Sequence, residues 1–229
     1  EEDLPDITDI FEEYVDALPQ YQHVRLEDLT VRRALCASFV AYRDSPLASP
    51  FDRVVQVGDA AGMQSPLSFG GFAALCRHLG RVRAAVVEAA EADLLMHEDL
   101  ALLCPYLPNL SLQWTMYRSI ARPPRSEPDF VNRMMGGILG GAASCGPGVL
   151  APILQDVFSL SALVPTLVAW LSRDPTVVPL FVRSMGVENV LAAVQHLAAL
   201  AAYTGLSVWA APLLEPFVER LPPAERFRW

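Results

Sequence analysis

The chain has 229 residues, a formal net charge of −9 and a hydrophobic fraction of 52%. The acidic balance excludes a nucleic-acid partner, which needs a basic surface, and it excludes simple electrostatic adsorption to anionic lipid. With so few charged residues a large core can be buried, and the length allows one domain or two small ones. Lysine is absent, so Schiff-base chemistry through lysine is excluded too. Cys36, Cys76, Cys104 and Cys145 are widely spaced in apolar settings and read as buried free thiols. His23, His78, His97 and His196 are scattered, so no metal-ligand spacing exists.

Residues 4–18 read as an acidic amphipathic helix, with Ile7, Ile10, Phe11, Tyr14, Val15 and Leu18 at helical spacing and Pro19 as its stop. Val31 to Tyr42 is rich in β-branched and aromatic residues, which favours a strand, and Tyr42-Arg43-Asp44-Ser45-Pro46 closes it in a turn. Val54, Val55 and Val57 predict a short buried strand. It runs into Gly58-Asp59-Ala60-Ala61-Gly62, where small residues permit close approach to the backbone. Ser65-Pro66 marks a turn, and Gly70-Gly71 precedes an apolar-periodic run from Phe72 to about Ala92. The order is strand, small-residue loop, helix start. Free N–H groups and partial positive charge at such a start suit an anionic or electron-rich ligand edge.

Beyond Leu94 the character changes. Pro105-Tyr106-Leu107-Pro108-Asn109 breaks one helix, and Ser111 is a candidate cap for the next. The proline-rich stretch 121–128 is the internal linker candidate. Phe130 to Leu214 is strongly apolar, and the glycines between Gly136 and Gly148 predict several short helices and turns. Gly136-x-x-x-Gly140 has the spacing that permits close helix contact. Val190 to Leu214 carries no charge and is long enough to cross a bilayer. Three readings stay open for it: a buried helix, a membrane-surface or partner interface, and a transmembrane span.

The motif around Gly58 resembles the second flavin-contacting segment of FAD-dependent oxidoreductases of the hydroxylase, geranylgeranyl-reductase and lycopene-cyclase type. Gly58, Asp59, Ala60, Ala61, Gly62, Pro66, Leu67 and Gly71 fall in register with it, and Phe69 stands where the reductases carry a glycine. Tyr42 to Leu47, Gln64 to Phe72, Arg77 to Arg81, Pro105 to Ser111 and Leu221-Pro222-Pro223 are similar to a plastid and cyanobacterial lycopene-cyclase-like group. The resemblance implies FAD as cofactor. Asp59 would bond the ribityl or pyrophosphate part, Pro66 would lie by the flavin ring, and the Gly70–Gly71 backbone would face its pyrimidine edge. Tyr42 and Arg43 are substrate candidates, and no residue is assigned as a catalyst.

No G-x-G-x-x-G follows a strand anywhere, and the chain starts at Glu1 without a targeting segment. The expectation is a C-terminal portion of such an enzyme, itself shortened after Trp229, holding half of an FAD site. The expected fold is mainly α with a small β portion within about residues 30–60. The resemblance makes this the end of a Rossmann-like FAD-binding fold followed by a helical subdomain. Residues 1–50 would end the substrate side, 51–93 would contact FAD, and 94–229 would form the apolar helical part. The expected function is oxidation or reduction of a lipophilic prenyl or carotenoid-type substrate in a membrane-associated plastid setting. The alternative is a non-catalytic interaction subunit docked on a plastid membrane complex.

Overall fold

The structure, a computed structural model, describes residues 6–36, 40–68, 70–121, 129–155 and 157–228. Every regular element among them is helical. The chain divides into two units, Glu1–Val40 and Ala41–Trp229.

In the first unit, α1 (Ile7–Gln22) starts at Asp6, whose carboxylate accepts from the Thr8 N–H at 2.8 Å. This satisfies one of the open donors of the first turn. Pro19 lies inside the helix rather than ending it. The helix instead stops at His23, in left-handed backbone. The apolar stripe of α1 faces Leu29, Val31 and Leu35 across an open hollow, and no residue of the helix is buried.

The expected α+β organisation with a Rossmann-like portion is not what the chain forms: no strand occurs among the described residues. Residues 31–36 and Val54 to Val57 are irregular, without ladder partners, and residues 37–39 lie outside the described set. β-branched residues favour extended backbone, but a strand exists only where a neighbour accepts its N–H and C=O groups. Val54 and Val57 stay exposed, while Val55 packs on a small cluster of Ala89, Leu100 and Leu103.

The second unit is a helical assembly. Its α2 (Gly71–Glu91) is followed by the short α3 (His97–Leu100), whose first N–H is held by the Asp52 carboxylate at 2.8 Å. The end of the chain returns to α2 and α3 through α10 (Pro223–Phe227): Arg226 pairs with Glu88 and Arg228 with Asp99. α4 (Pro108–Ala121) starts at the proline, and Ser111 is buried within it instead of capping it. The linker candidate at 121–128 falls almost wholly outside the described residues.

Three helices build the main core with α4: α5 (Phe130–Ser144), α7 (Leu160–Arg173) and α8 (Val177–Gly205). Phe130 and Met134 are fully buried at its centre. The glycines do not fragment this region as the sequence suggests, because Gly136, Gly137, Gly140 and Gly141 all lie within α5. The close contact falls one residue later than the expected pair. A Cβ on Gly137 would collide with the Trp170 indole, and one on Gly141 would lie 2.7 Å from the Thr166 carbonyl oxygen. Gly136 and Gly140 face open space. The chain does break at Gly146, where positive φ and the following proline start α6 (Pro147–Leu154).

From Val177 to Val218 the chain is helical apart from a kink at Gly186 (φ 76°, ψ 159°). Residues Leu206–Ala210 widen to π geometry before α9 (Ala211–Val218). The cause is Pro212, which lacks an N–H and whose ring would press on the Val208 carbonyl in a regular α-helix. Among the described residues this is the one helix long and apolar enough to cross a membrane by length and composition. In its most apolar window 6% of the residues are buried, while Leu200 belongs to the main core and Ala193 and Leu197 pack against it.

Candidate functional site

Gly58–Ala61 forms a single 3-10 turn instead of the end of a strand. Both flanking glycines are left-handed, Gly58 at φ 59° and Gly62 at φ 65°. A side chain is rarely tolerated there, so the glycines are what allow the turn. Gly58 rests against Leu75 of α2, and Gly62 rests against Tyr42 and Ser45. The Leu47 N–H donates to the Ala61 carbonyl at 2.7 Å, tying the 42–47 loop to the turn. Ala61 is buried, while Asp59 and Ala60 are exposed.

The following loop is pinned from within. Ser65 Oγ donates to Gln113 Oε1 of α4 at 2.6 Å, both side chains being buried. The same oxygen accepts from the N–H groups of Leu67 and Ser68. Pro66 is buried in this turn. Gly70 then provides the N-cap position of α2 without a side-chain cap, its own N–H donating to Ser68 Oγ. The candidate residues Gly58, Asp59, Ala60, Ala61 and Gly62 thus form the turn, Pro66 lies in the pinned loop, and Gly70 and Gly71 start a 21-residue helix. Phe69 lies outside the described residues.

Tyr42 joins the turn through its contact with Gly62. Arg43 is exposed and sits 3.8 Å from the Asp44 carboxylate, a loose surface pair worth little to stability. A second group, which sequence reasoning missed, gathers around His196 of α8. There the Tyr106 hydroxyl lies 2.6 Å from His196 Nδ1, and Tyr203 packs against the Tyr106 ring. Burial, with Tyr203 adding to it, pushes the Tyr106 phenol up, and the Ser111 hydroxyl opposes this. The two groups share one hydrogen bond, whose donor is set by the His196 tautomer. His196 and Tyr203 lie seven residues apart, on one face of an otherwise apolar helix. That polar interruption was the available signal; Tyr106, 90 residues earlier, offered none.

His78, on α2, is half-buried, and its pKa is lowered first by burial and then by Arg81 and Arg77. The four cysteines are free thiols, as expected, but not buried: Cys36, Cys76 and Cys145 are exposed, and only Cys104 is partly covered. No group of side chains among the described residues could hold a metal ion.

A separate feature lies between α4, α7 and α8. It is a cavity of about 270 Å³ lined by apolar side chains, with Thr115 the one hydroxyl among them. That hydroxyl donates to the Leu112 carbonyl and presents nothing to the space.

No protein-family model matches this chain, and no curated protein or solved structure is significantly similar to it.

Proposed function

We propose that this chain supplies the second flavin-contacting segment of an FAD-dependent oxidoreductase acting on a lipophilic, prenyl or carotenoid-type substrate at a membrane. The observation that carries this reading is the Gly58–Gly62 turn. It has two left-handed glycines and an exposed carboxylate between them, and the uncapped start of α2 follows later in the chain. A second segment, from the same polypeptide or another, would supply the pyrophosphate-binding fingerprint that is missing here.

The flavin, when bound, supplies the hydride or electron transfer. This chain's residues hold and orient it. The Asp59 carboxylate would accept from a ribityl hydroxyl, and the first N–H groups of α2 would serve an electron-rich part of the cofactor. Tyr42, set against Gly62, and Arg43 border the substrate side. The apolar helix Val177–Val218 offers a lipophilic substrate a route that avoids water. A plastid location follows from the resemblance alone.

The test is Asp59→Ala in the polypeptide that carries both segments. A hydrogen bond to a charged group is worth about 1.5–3 kcal/mol, so flavin content after purification should fall by about tenfold or more. Unchanged occupancy would remove Asp59 from the site. The exposed apolar residues of Val177–Val218 also favour a second reading, a non-catalytic subunit docked on a plastid membrane complex. A stoichiometric membrane partner recovered with a chain that never carries flavin would select it.

A further inference from the structure

We propose that the cavity between α4, α7 and α8 is a binding site for the hydrocarbon chain of a lipid. The inference goes beyond the flavin reading and stands without it, because no residue of the glycine turn lines this space. The floor is built by core residues: Met116, Leu163, Trp170 and Val177 are all nearly or fully buried. The rim carries Val178, Val182 and Val194, which are exposed. These rim residues belong to the apolar helix Val177–Val218. The space thus runs from the core to the exposed apolar face of that helix.

The chemistry of the lining defines the ligand. No ionisable side chain lines the space, and the single hydroxyl, on Thr115, is committed to backbone. A polar head cannot enter without losing its hydration, so only an apolar chain gains from the site. Water gains nothing either, since it needs two or more polar partners to stay in a cavity. A cavity of about 150 Å³ takes benzene, so by proportion about 270 Å³ takes roughly ten or eleven carbon atoms. The occupant is one linear or methyl-branched chain segment of about that length, with its head left at the rim. Gly186 lets α8 bend away from a straight path, with the lining residues Val182 and Val190 on either side of the kink.

The test is quenching of Trp170 fluorescence by terminally brominated undecanoic acid in the full chain carrying Trp114→Phe, Trp209→Phe and Trp229→Phe, since Trp170 lines the cavity. Saturable quenching is expected. Ala193→Phe fills the space and should weaken the acid's binding by about tenfold or more while the helical circular dichroism is retained. Should that variant misfold, Leu167→Ala enlarges the cavity and should shift preference toward longer brominated acids. Bilayers of phosphatidylcholine brominated at one chain terminus separate the two sources of the chain. Quenching in bilayers that Ala193→Phe abolishes identifies a membrane lipid tail. Quenching by the free acid alone identifies a detached ligand such as a substrate. Absence of saturable quenching, or quenching that neither variant alters, would overturn the proposal.

Discussion

Gly136 and Gly137 are neighbours in α5 with opposite structural roles. A Cβ on Gly136 meets nothing, whereas one on Gly137 collides with the Trp170 indole. Gly136→Ala should therefore stabilise the chain by about 0.5–1 kcal/mol through lowered unfolded-state entropy. Gly137→Ala should destabilise it by about 1–3 kcal/mol through overpacking. Denaturant midpoints of the two variants should move in opposite directions; equal shifts would contradict the α5–α7 contact. His78 provides a second test at this scale. Its folded pKa is depressed, so the folded state holds it neutral while the unfolded chain takes a proton below about pH 6.5. Its contribution is full above that value and is lost as pH falls toward the folded pKa. His78→Gln should flatten the stability profile over this interval, and an unaltered slope would show that burial does not act on this imidazole.

Gly186 decides the course of the longest helix. Its φ and ψ fall in a region that only glycine occupies readily. Gly186→Ala should cost about 1–3 kcal/mol in a thermal or denaturant melt, or should straighten α8 and change the cavity beside it. A variant with unchanged stability and unchanged chain binding would argue against the kink. Helical elements were the legible part of this fold: α1 and α2 follow from the spacing of Ile7, Ile10, Phe11 and Tyr14 and of Phe72, Leu75 and Leu79. Pro19 did not stop α1, because a proline removes one internal hydrogen bond without forbidding the helix. The Val54–Val57 run was misread because β-propensity reports fit to a neighbouring strand, and none is present among the described residues. The α5 glycines suggested breaks because their purpose, admitting Trp170 of α7, is a tertiary fact.

At the scale of the molecule, the site was legible only where it is contiguous. Gly58 to Gly71 could be read as one motif because it is contiguous in sequence; its described residues form a 3-10 turn, a pinned loop and a helix start. The Tyr106–His196–Tyr203 cluster joins positions nearly a hundred residues apart, and no local pattern announces such a meeting. The exposure of Val177–Val218 also has a consequence for the whole chain. Burial of apolar area yields about 25 cal/mol per Å², so a helix that leaves so much of it open should associate with a bilayer or an apolar partner. Because the chain is acidic, the contact should resist high salt and yield to mild detergent. Release from native membranes by salt alone would contradict this.

The most direct measurement is the visible absorption spectrum of the protein extracted from its native membranes in mild detergent, with every tightly held polypeptide retained. The flavin bands are expected in stoichiometric amount and diminished by Asp59→Ala. A fully folded, detergent-extracted complex containing this chain and no flavin would contradict it.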